Sequence, residues 1–281
     1  MRVTDFSLLF MKYQGIYFMK KTLIALAVAA SAAVSGSAMA WTANGTGGSV
    51  DMGGTLNPVT KVTPWEAKVG AAVTGLDGQI EKGISTIEIP LTRTIPVLGI
   101  RTQSSIPFNG STNGIDPQID YNGAINTGNF SNNATTLTLD VLDADTSNKI
   151  GNLQASFSAG AVANYKTSGG TVSQFVINAP HSGDAFFGGV PNSPSGVNSS
   201  AVASLLAELF SDIADNYNSQ GIGSWSSSWN INFDNPTSTY SGYYASGIKS
   251  GQNLRMTFDS PAQGDDSIVW KATLPVTVSY Q

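Results

Sequence analysis

Cysteine is absent from the 281 residues, which excludes a disulfide framework and any metal site built on thiolates. Charged residues make up only 12% of the chain, and the net charge is −5. An acidic chain repels phosphate backbones and anionic membrane surfaces, so nucleic acid is excluded as an expected partner. The fold must therefore be stabilised by packing or by assembly.

Long apolar runs are also missing, because the longest one covers only residues 23–34. A membrane helix needs about 20 such residues. The run follows Lys20-Lys21 and precedes Ala38-Met39-Ala40, a small-x-small cleavage signal. We interpret residues 19–40 as a signal peptide and residues 1–18 as an upstream start extension.

What the chain has in abundance is glycine, serine, threonine and asparagine, together with short segments in which apolar and polar residues alternate. Alternation with a period of two is typical of half-buried strands. Turn residues separate these segments, as at 143–148 and 246–252. The pattern predicts an all-β, immunoglobulin-like sandwich. The candidate strands are 65–69, 84–94, 96–102, 118–121, 136–141, 150–163, 253–259 and 270–280.

One segment has helical periodicity. Apolar residues recur at intervals of three and four across residues 199–217, and Ser199 or Ser200 could cap the start. A single helix within a β-rich chain predicts a small insertion on the sandwich, which we assign to about residues 165–235.

Both ends of the mature chain carry alternating apolar residues. Near the start, Val50, Met52, Gly54 and Leu56 would share one side of an extended strand, after the glycine-rich run 42–48. This segment is either the first strand of its own sandwich or a mobile strand that completes the sheet of a neighbouring copy. At the other end, Leu274, Val276, Val278 and Tyr280 share one face, and Pro275 predicts an irregular edge.

The sequence offers little for catalysis or metal binding. His181 is the only histidine and lies in a loop by composition, and no nucleophile elbow occurs. Asp143-x-Asp145-x-Ser147 begins like a calcium loop, but it lacks the glycine and glutamate of that motif, so we interpret it as a hairpin turn. We predict no catalytic residues, no metal and no cofactor; a secreted β-sandwich hydrolase is the less favoured alternative.

Several segments together resemble one family, the FaeG-like major subunits and adhesins of the chaperone–usher fimbriae of enterotoxigenic Escherichia coli. The similar segments are the leader from Met19, the start at Trp41 with Gly48–Gly54, the internal runs 96–102 and 114–119, and the ending 272–280. The similarity covers about residues 41–160 and 245–281.

The resemblance implies an incomplete sandwich completed by donor strand exchange. Residues 41–60 would be the N-terminal donor extension and residues 61–281 the pilin domain, with Leu274, Val276, Val278 and Tyr280 at the groove edge. It implies a linear homopolymer on the cell surface, reached through the periplasm with a chaperone and an outer-membrane usher.

It also implies adhesion to a host glycoconjugate, with a non-adhesive fimbrial or capsule-like subunit as the alternative. Aromatic rings can stack on sugars, and the candidates lie within 165–235, although the same rings could pack the helix onto the sandwich. The candidate receptor-binding residues are Tyr165, Phe186, Phe187, Tyr217, Trp225 and Trp229.

Overall fold

The structure is a computed structural model that describes Ala43 and residues 52–57, 61–223 and 226–281. Two compact units are distinguished, residues 1–61 and residues 62–281. Of the described residues, 38% are in strands and 6% are helical, which confirms the all-β prediction. No helix among the described residues has the length and apolar character needed to cross a membrane.

Thirteen strands and one α-helix are described in the second unit. The helix α1 is Val202–Leu209, and short 3-10 turns cover Thr127–Asn129 and Pro194–Gly196. The strands are β1 Trp65–Val69, β2 Thr86–Pro90, β3 Ile95–Thr102, β4 Phe108–Asn109, β5 Pro117–Asp120, β6 Ala134–Asp143, β7 Lys149–Lys166, β8 Val172–Ile177, β9 Ser226–Trp229, β10 Thr239–Ile248, β11 Asn253–Phe258, β12 Trp270–Lys271 and β13 Thr277–Tyr280.

The 18-residue strand β7 organises the larger sheet. One of its edges pairs antiparallel with β10 and then with β11. Its other edge pairs with β8 and β6. The order of hydrogen-bonded strands through β7 is β1-β3-β10-β7-β11-β2. Strands β5 and β13 form a separate two-stranded sheet.

Two hydrophobic clusters lie on this framework. The larger one contains Trp65, Phe157, Phe186, Phe233 and Tyr244. The smaller one forms where the apolar face of α1 packs on β7, β8 and β10. Gly160 of β7 allows this approach, because a Cβ atom there would lie 2.9 Å from Val202 Cγ2.

The helix is shorter than the predicted segment 199–217. It ends at Leu209, and Phe210 is extended with φ −141° and ψ 109°. Ile213 and Tyr217 still pack against the smaller cluster from turns, so apolar spacing alone did not separate helix from turn. The predicted serine cap is also wrong: Ala201 is the N-cap, and Ser200 Oγ donates to Asn198 Oδ1 instead.

Four strands, β4, β8, β9 and β10, lie outside the predicted segments. The two longest of them, β8 and β10, were not predicted because they do not alternate. Nine of the ten residues of β10 are buried, and the last four residues of β8 are buried in succession. Strand β10 continues to Ile248, so the predicted turn at 246–252 is wrong in its first half. Residues 165–235 do not stand apart from the sandwich, since Phe175, Phe186 and Phe233 belong to the larger cluster.

Candidate functional site: an open edge and a polar cavity

The C-terminal segment presents an apolar face that is only half covered. Leu274, Val276, Val278 and Tyr280 all pack against the larger cluster, yet none of them is fully buried. The residues between them are exposed, so the predicted alternation holds along the whole segment. A finished core strand would bury its inward side chains, as Leu137 and Val141 of β6 do.

The backbone of this segment is paired only at its ends. Strand β12 pairs with β6, and β13 pairs with β5. Residues 272–276 between them lie outside every strand and make no backbone hydrogen bond to the described residues. This edge of the sandwich is therefore irregular around Pro275, as the sequence predicted. We refer to residues 272–276 as the open edge.

A second segment outside the strands, residues 71–83, is also only partly covered. Leu76 is half buried and packs against the larger cluster. Ile80 is also half buried. Between them, a Cβ atom on Gly78 would lie 2.7 Å from Ile87 Cδ1, so this side of the segment faces β2. Among the described residues, 71–80 make no backbone–backbone hydrogen bond, and Thr74 O accepts from Arg93 Nη2 at 3.1 Å. We did not single out this segment from the sequence, although Leu76-x-Gly78-x-Ile80 carries the alternation that would have identified it.

The start of β1 lies beside the end of β13. Burial raises the pKa of the Tyr280 phenol, while a hydrogen bond with the Thr63 side chain lowers it. Trp65 Nε1 donates to Ile115 O at 2.7 Å, close to the point where Asp116 and Gln281 exchange backbone hydrogen bonds. These contacts fix the C-terminal end of β13 beside the start of β1.

The predicted donor residues lie in the first unit. Met52 is 92% exposed and Leu56 is 96% exposed, and a Cβ atom on Gly54 would have no neighbour within 4 Å. Val50 lies outside the described residues.

The predicted receptor-binding aromatics are dispersed, and three of them serve the interior. Phe186 is completely buried, stacked at 5.7 Å on Tyr244, so we leave it out of any receptor surface. Tyr165 is half buried, 5.9 Å from Phe175. Burial raises the pKa of Tyr217, whose hydroxyl accepts from Asn164 and donates to Gln174.

The other aromatics differ in their surroundings. Trp229 ends the short strand β9 and is 64% exposed. Trp225 lies outside the described residues. Phe187 is half buried and lines a cavity of roughly 560 Å³ next to the β5–β13 sheet. The cavity is lined by Gln118, Ile119, Asp120, Tyr121, Gly123, Ile125, Asn126, Thr127, Ser182, Phe187, Gly188, Thr277, Ser279 and Gln281.

The remaining polar motifs have structural roles. Asp143 Oδ1 accepts from the backbone N–H groups of Asp145 and Thr146, which builds the predicted hairpin turn and lowers the pKa of Asp143. The His181 side chain is 80% exposed, with Nδ1 3.6 Å from Asp184 Oδ2. Within the described ranges, no three His, Asp or Glu side chains gather as a metal site requires.

Comparison with known proteins defines the class of this chain. The model of the family of fimbrial major and minor subunits matches residues 19–281, and the chain belongs to that family. It is similar to the K88 fimbrial proteins AB and AC of Escherichia coli, at 31% and 30% identity. It is also similar to the F41 fimbrial protein of Escherichia coli, at 27% identity. Each alignment covers 93% of this chain and the whole of the relative. The protein is thus a subunit of a surface fimbrium of the K88 and F41 type, and its relatives are structural subunits rather than enzymes.

Proposed function

We propose that this subunit polymerises by donor strand exchange and that the resulting fimbria adheres to host glycoconjugates. Residues 41–60 of one copy insert beside the C-terminal segment of the next, and the repetition of this step produces a linear homopolymer. Before assembly, a periplasmic chaperone covers the same edge, and the subunit passes to an outer-membrane usher.

The observation that carries the proposal is the pair of half-covered segments, 71–83 and 270–281. Both have apolar side chains that pack against the larger cluster, and the middle of each makes no backbone–backbone hydrogen bond within the described chain. Unpaired backbone and exposed apolar surface are costly in water, and an added strand removes both costs. We therefore assign the donor position to the half-covered face of the C-terminal segment.

The N-terminal segment has the pattern such a strand requires. Met52 and Leu56 are large, apolar and almost fully exposed. Burying each would contribute about 1.5–3 kcal/mol, before the ladder hydrogen bonds are counted. Gly54 between them lets the strand pass close to a shallow part of the groove.

A peptide should replace the donor strand. We would purify the full chain with Met52→Asp and Leu56→Asp, which disables its own donor segment, and add an excess of a synthetic peptide of residues 43–57. Because the peptide binds only the folded state, its addition should raise the thermal midpoint by about 10 °C.

Two control peptides make this test specific for the inserted face. A peptide with both aspartate substitutions should give no increase in the midpoint, since it would place two charges in an apolar groove. A peptide with Thr55→Asp should act like the unmodified one, because Thr55 is on the other side of the strand. An unchanged midpoint with the unmodified peptide would contradict donor strand exchange.

Adhesion is the second part of the proposal, and the exposed ring of Trp229 and the cavity at Phe187 support it. Trp229 presents an aromatic ring to solvent, and the cavity that Phe187 lines also has hydroxyl and amide side chains, the groups that bind sugars. Assembled fimbriae of the full chain, applied to immobilised host glycoconjugates, should be retained. Assembly without retention would favour the alternative of a non-adhesive subunit.

A further inference from the structure

Strand β7 changes its neighbour along one edge, and the change leaves a gap in the larger sheet. On this edge, residues 151–154 pair with β11 and residues 158–166 pair with β10. Residues 155–157 have no partner strand on this edge in the described chain, and no backbone hydrogen bond from a loop or turn reaches them. Because successive residues of a strand direct their N–H and C=O groups to alternate edges, at least one of the three faces the gap with both groups.

A polar cavity of roughly 430 Å³ lies at this gap. Strands β6, β7 and β11 contribute its main polar side chains, which are Thr136, Gln154, Ser156, Asn253 and Arg255. None of the described lining residues is Asp or Glu, so Arg255 supplies the only charge among them. Cavities of ~300–1,000 Å³ are common for small-molecule sites, and this one is large enough for a small ligand or one side chain.

Arg255 differs from the other arginines of the described chain because its guanidinium has no partner there. Arg93 Nη2 donates to Thr74 O at 3.1 Å, and Arg101 Nε donates to Glu66 Oε1 at 2.6 Å. Arg255 is exposed and makes no hydrogen bond or ion pair to a described residue. A guanidinium carries five N–H donors in a fixed plane, so this one is available to an acceptor from outside the chain.

Three neutral side chains beside Arg255 also make no hydrogen bond within the described chain. Gln154 lies opposite Arg255 in the register of β7 and β11, and Thr136 lies opposite Ser156 in that of β6 and β7. Opposite side chains of antiparallel strands have Cβ atoms about 4.5–5.5 Å apart. The amide and the two hydroxyl groups therefore form a compact group of donors around the guanidinium.

The nearest carboxylate on the sheet is bound to another residue. Glu88 of β2 lies opposite Arg255 in the register, but its Oε2 accepts from Asn253 Nδ2 at 2.7 Å. No ion pair within the described chain joins Glu88 to Arg255. The Glu88 charge still repels ligands with several negative charges, as does the net charge of −5 on the whole chain. A monoanion is therefore favoured over a phosphate.

We propose that the gap between β10 and β11 is a binding site for a carboxylate. The fork of the Arg255 guanidinium matches the two oxygens of a carboxylate, and bonds of this kind are among the strongest in proteins. The hydroxyl groups of Thr136 and Ser156 and the amide of Gln154 donate to the same oxygens or to the group that carries them. The carboxylate belongs either to a small molecule or to an acidic side chain of a second copy of this chain.

A pair of small probes tests the site. One is aspartate with an acetylated amino group and a methylamide at the carboxyl end, which carries a single carboxylate; the other is the same derivative of asparagine. Each is added at millimolar concentration to fimbriae assembled from the full chain, and saturation-transfer NMR measures its binding. The aspartate probe should bind the parent, and Arg255→Gln should weaken this binding about tenfold, the value of one hydrogen bond between charged groups.

Lys166→Gln is the matched control. It also removes one exposed positive charge from the sheet, at the far end of β7 and outside the cavity. Its fimbriae should bind the aspartate probe like the parent. Equal binding by Arg255→Gln and Lys166→Gln fimbriae would overturn the site, as would equal binding of the two probes to the parent or no binding of the aspartate probe. The urea concentration at half-unfolding verifies that both variants fold like the parent.

Bundling of the fimbriae distinguishes the two sources of the carboxylate. With an acidic side chain of a second copy as the source, parent fimbriae should form bundles that sediment at low speed. Arg255→Gln or added aspartate probe should disperse these bundles, whereas Lys166→Gln should not. Parent fimbriae that bind the probe and stay dispersed would support the site and assign it to a small carboxylate.

Discussion

Fimbriae should be absent from the surface of cells that produce this subunit with Val276→Asp. Val276 lies in the middle of the C-terminal segment, packs against the larger cluster and remains half exposed at the open edge. An inserted donor strand would bury the new carboxylate in an apolar groove without a cation. The cost of an unpaired buried charge, several kcal/mol, approaches the whole gain expected from the donor side chains.

The control is Thr273→Asp, three residues earlier in the same segment. Thr273 is exposed, so its carboxylate should stay in water and assembly should proceed. Surface polymer is measured by immunogold counting and by the ladder of polymers that resists detergent without heating. Equal amounts of polymer from the two variants would show that this face of the segment is not covered during assembly.

Several of the strands that sequence analysis predicted, such as β6, β11 and β13, have one solvent-exposed face. Strand β6 alternates because Leu137 and Val141 enter the core while Thr136 and Thr138 face outward. Strand β10 has no such contrast: it lies between β3 and β7, with α1 packed over it, so tyrosine, serine and glycine are buried in succession. The alternation of apolar and polar residues reflects the difference in exposure between the two faces of a strand. It is therefore absent where both faces are buried.

The candidate sites follow the same division. The open edge was predictable next to β13, because the inward residues of the C-terminal segment are half buried and alternate with exposed residues. Its counterpart at 71–83 was obscured by Gly75, Gly78 and Gly83, which weaken any strand pattern. The cavity was not predictable, because Asp120, Phe187 and Ser279 lie on three distant parts of the chain. Of the aromatics, the sequence could not distinguish Phe186, which is buried, from its neighbour Phe187, which lines a cavity.

Replacement of Trp65 by alanine should cost about 3–5 kcal/mol of unfolding free energy, the largest loss expected from a single side chain. Trp65 is 3% exposed at the start of β1. Its ring centre lies 5.2 Å from that of Phe108, 5.5 Å from Phe186 and 5.1 Å from Phe233. The truncation would leave a cavity among these rings and would also deprive Ile115 O of its donor.

Trp65→Phe separates the two contributions, because it keeps an aromatic ring but removes the indole N–H. It should cost less than the alanine variant, with a loss of about 1–3 kcal/mol from the buried carbonyl oxygen that is left without its donor. Trp229→Ala is the matched control, since Trp229 is 64% exposed and its loss should cost under about 1 kcal/mol. Urea unfolding of the full chain, followed by circular dichroism, measures all three variants. If Trp65→Ala unfolds at the same urea concentration as Trp229→Ala, the ring cluster at the start of β1 does not contribute to stability as we expect. If it unfolds at a much lower urea concentration, the ring cluster that supports Ile115 contributes to the stability of the sandwich as we expect.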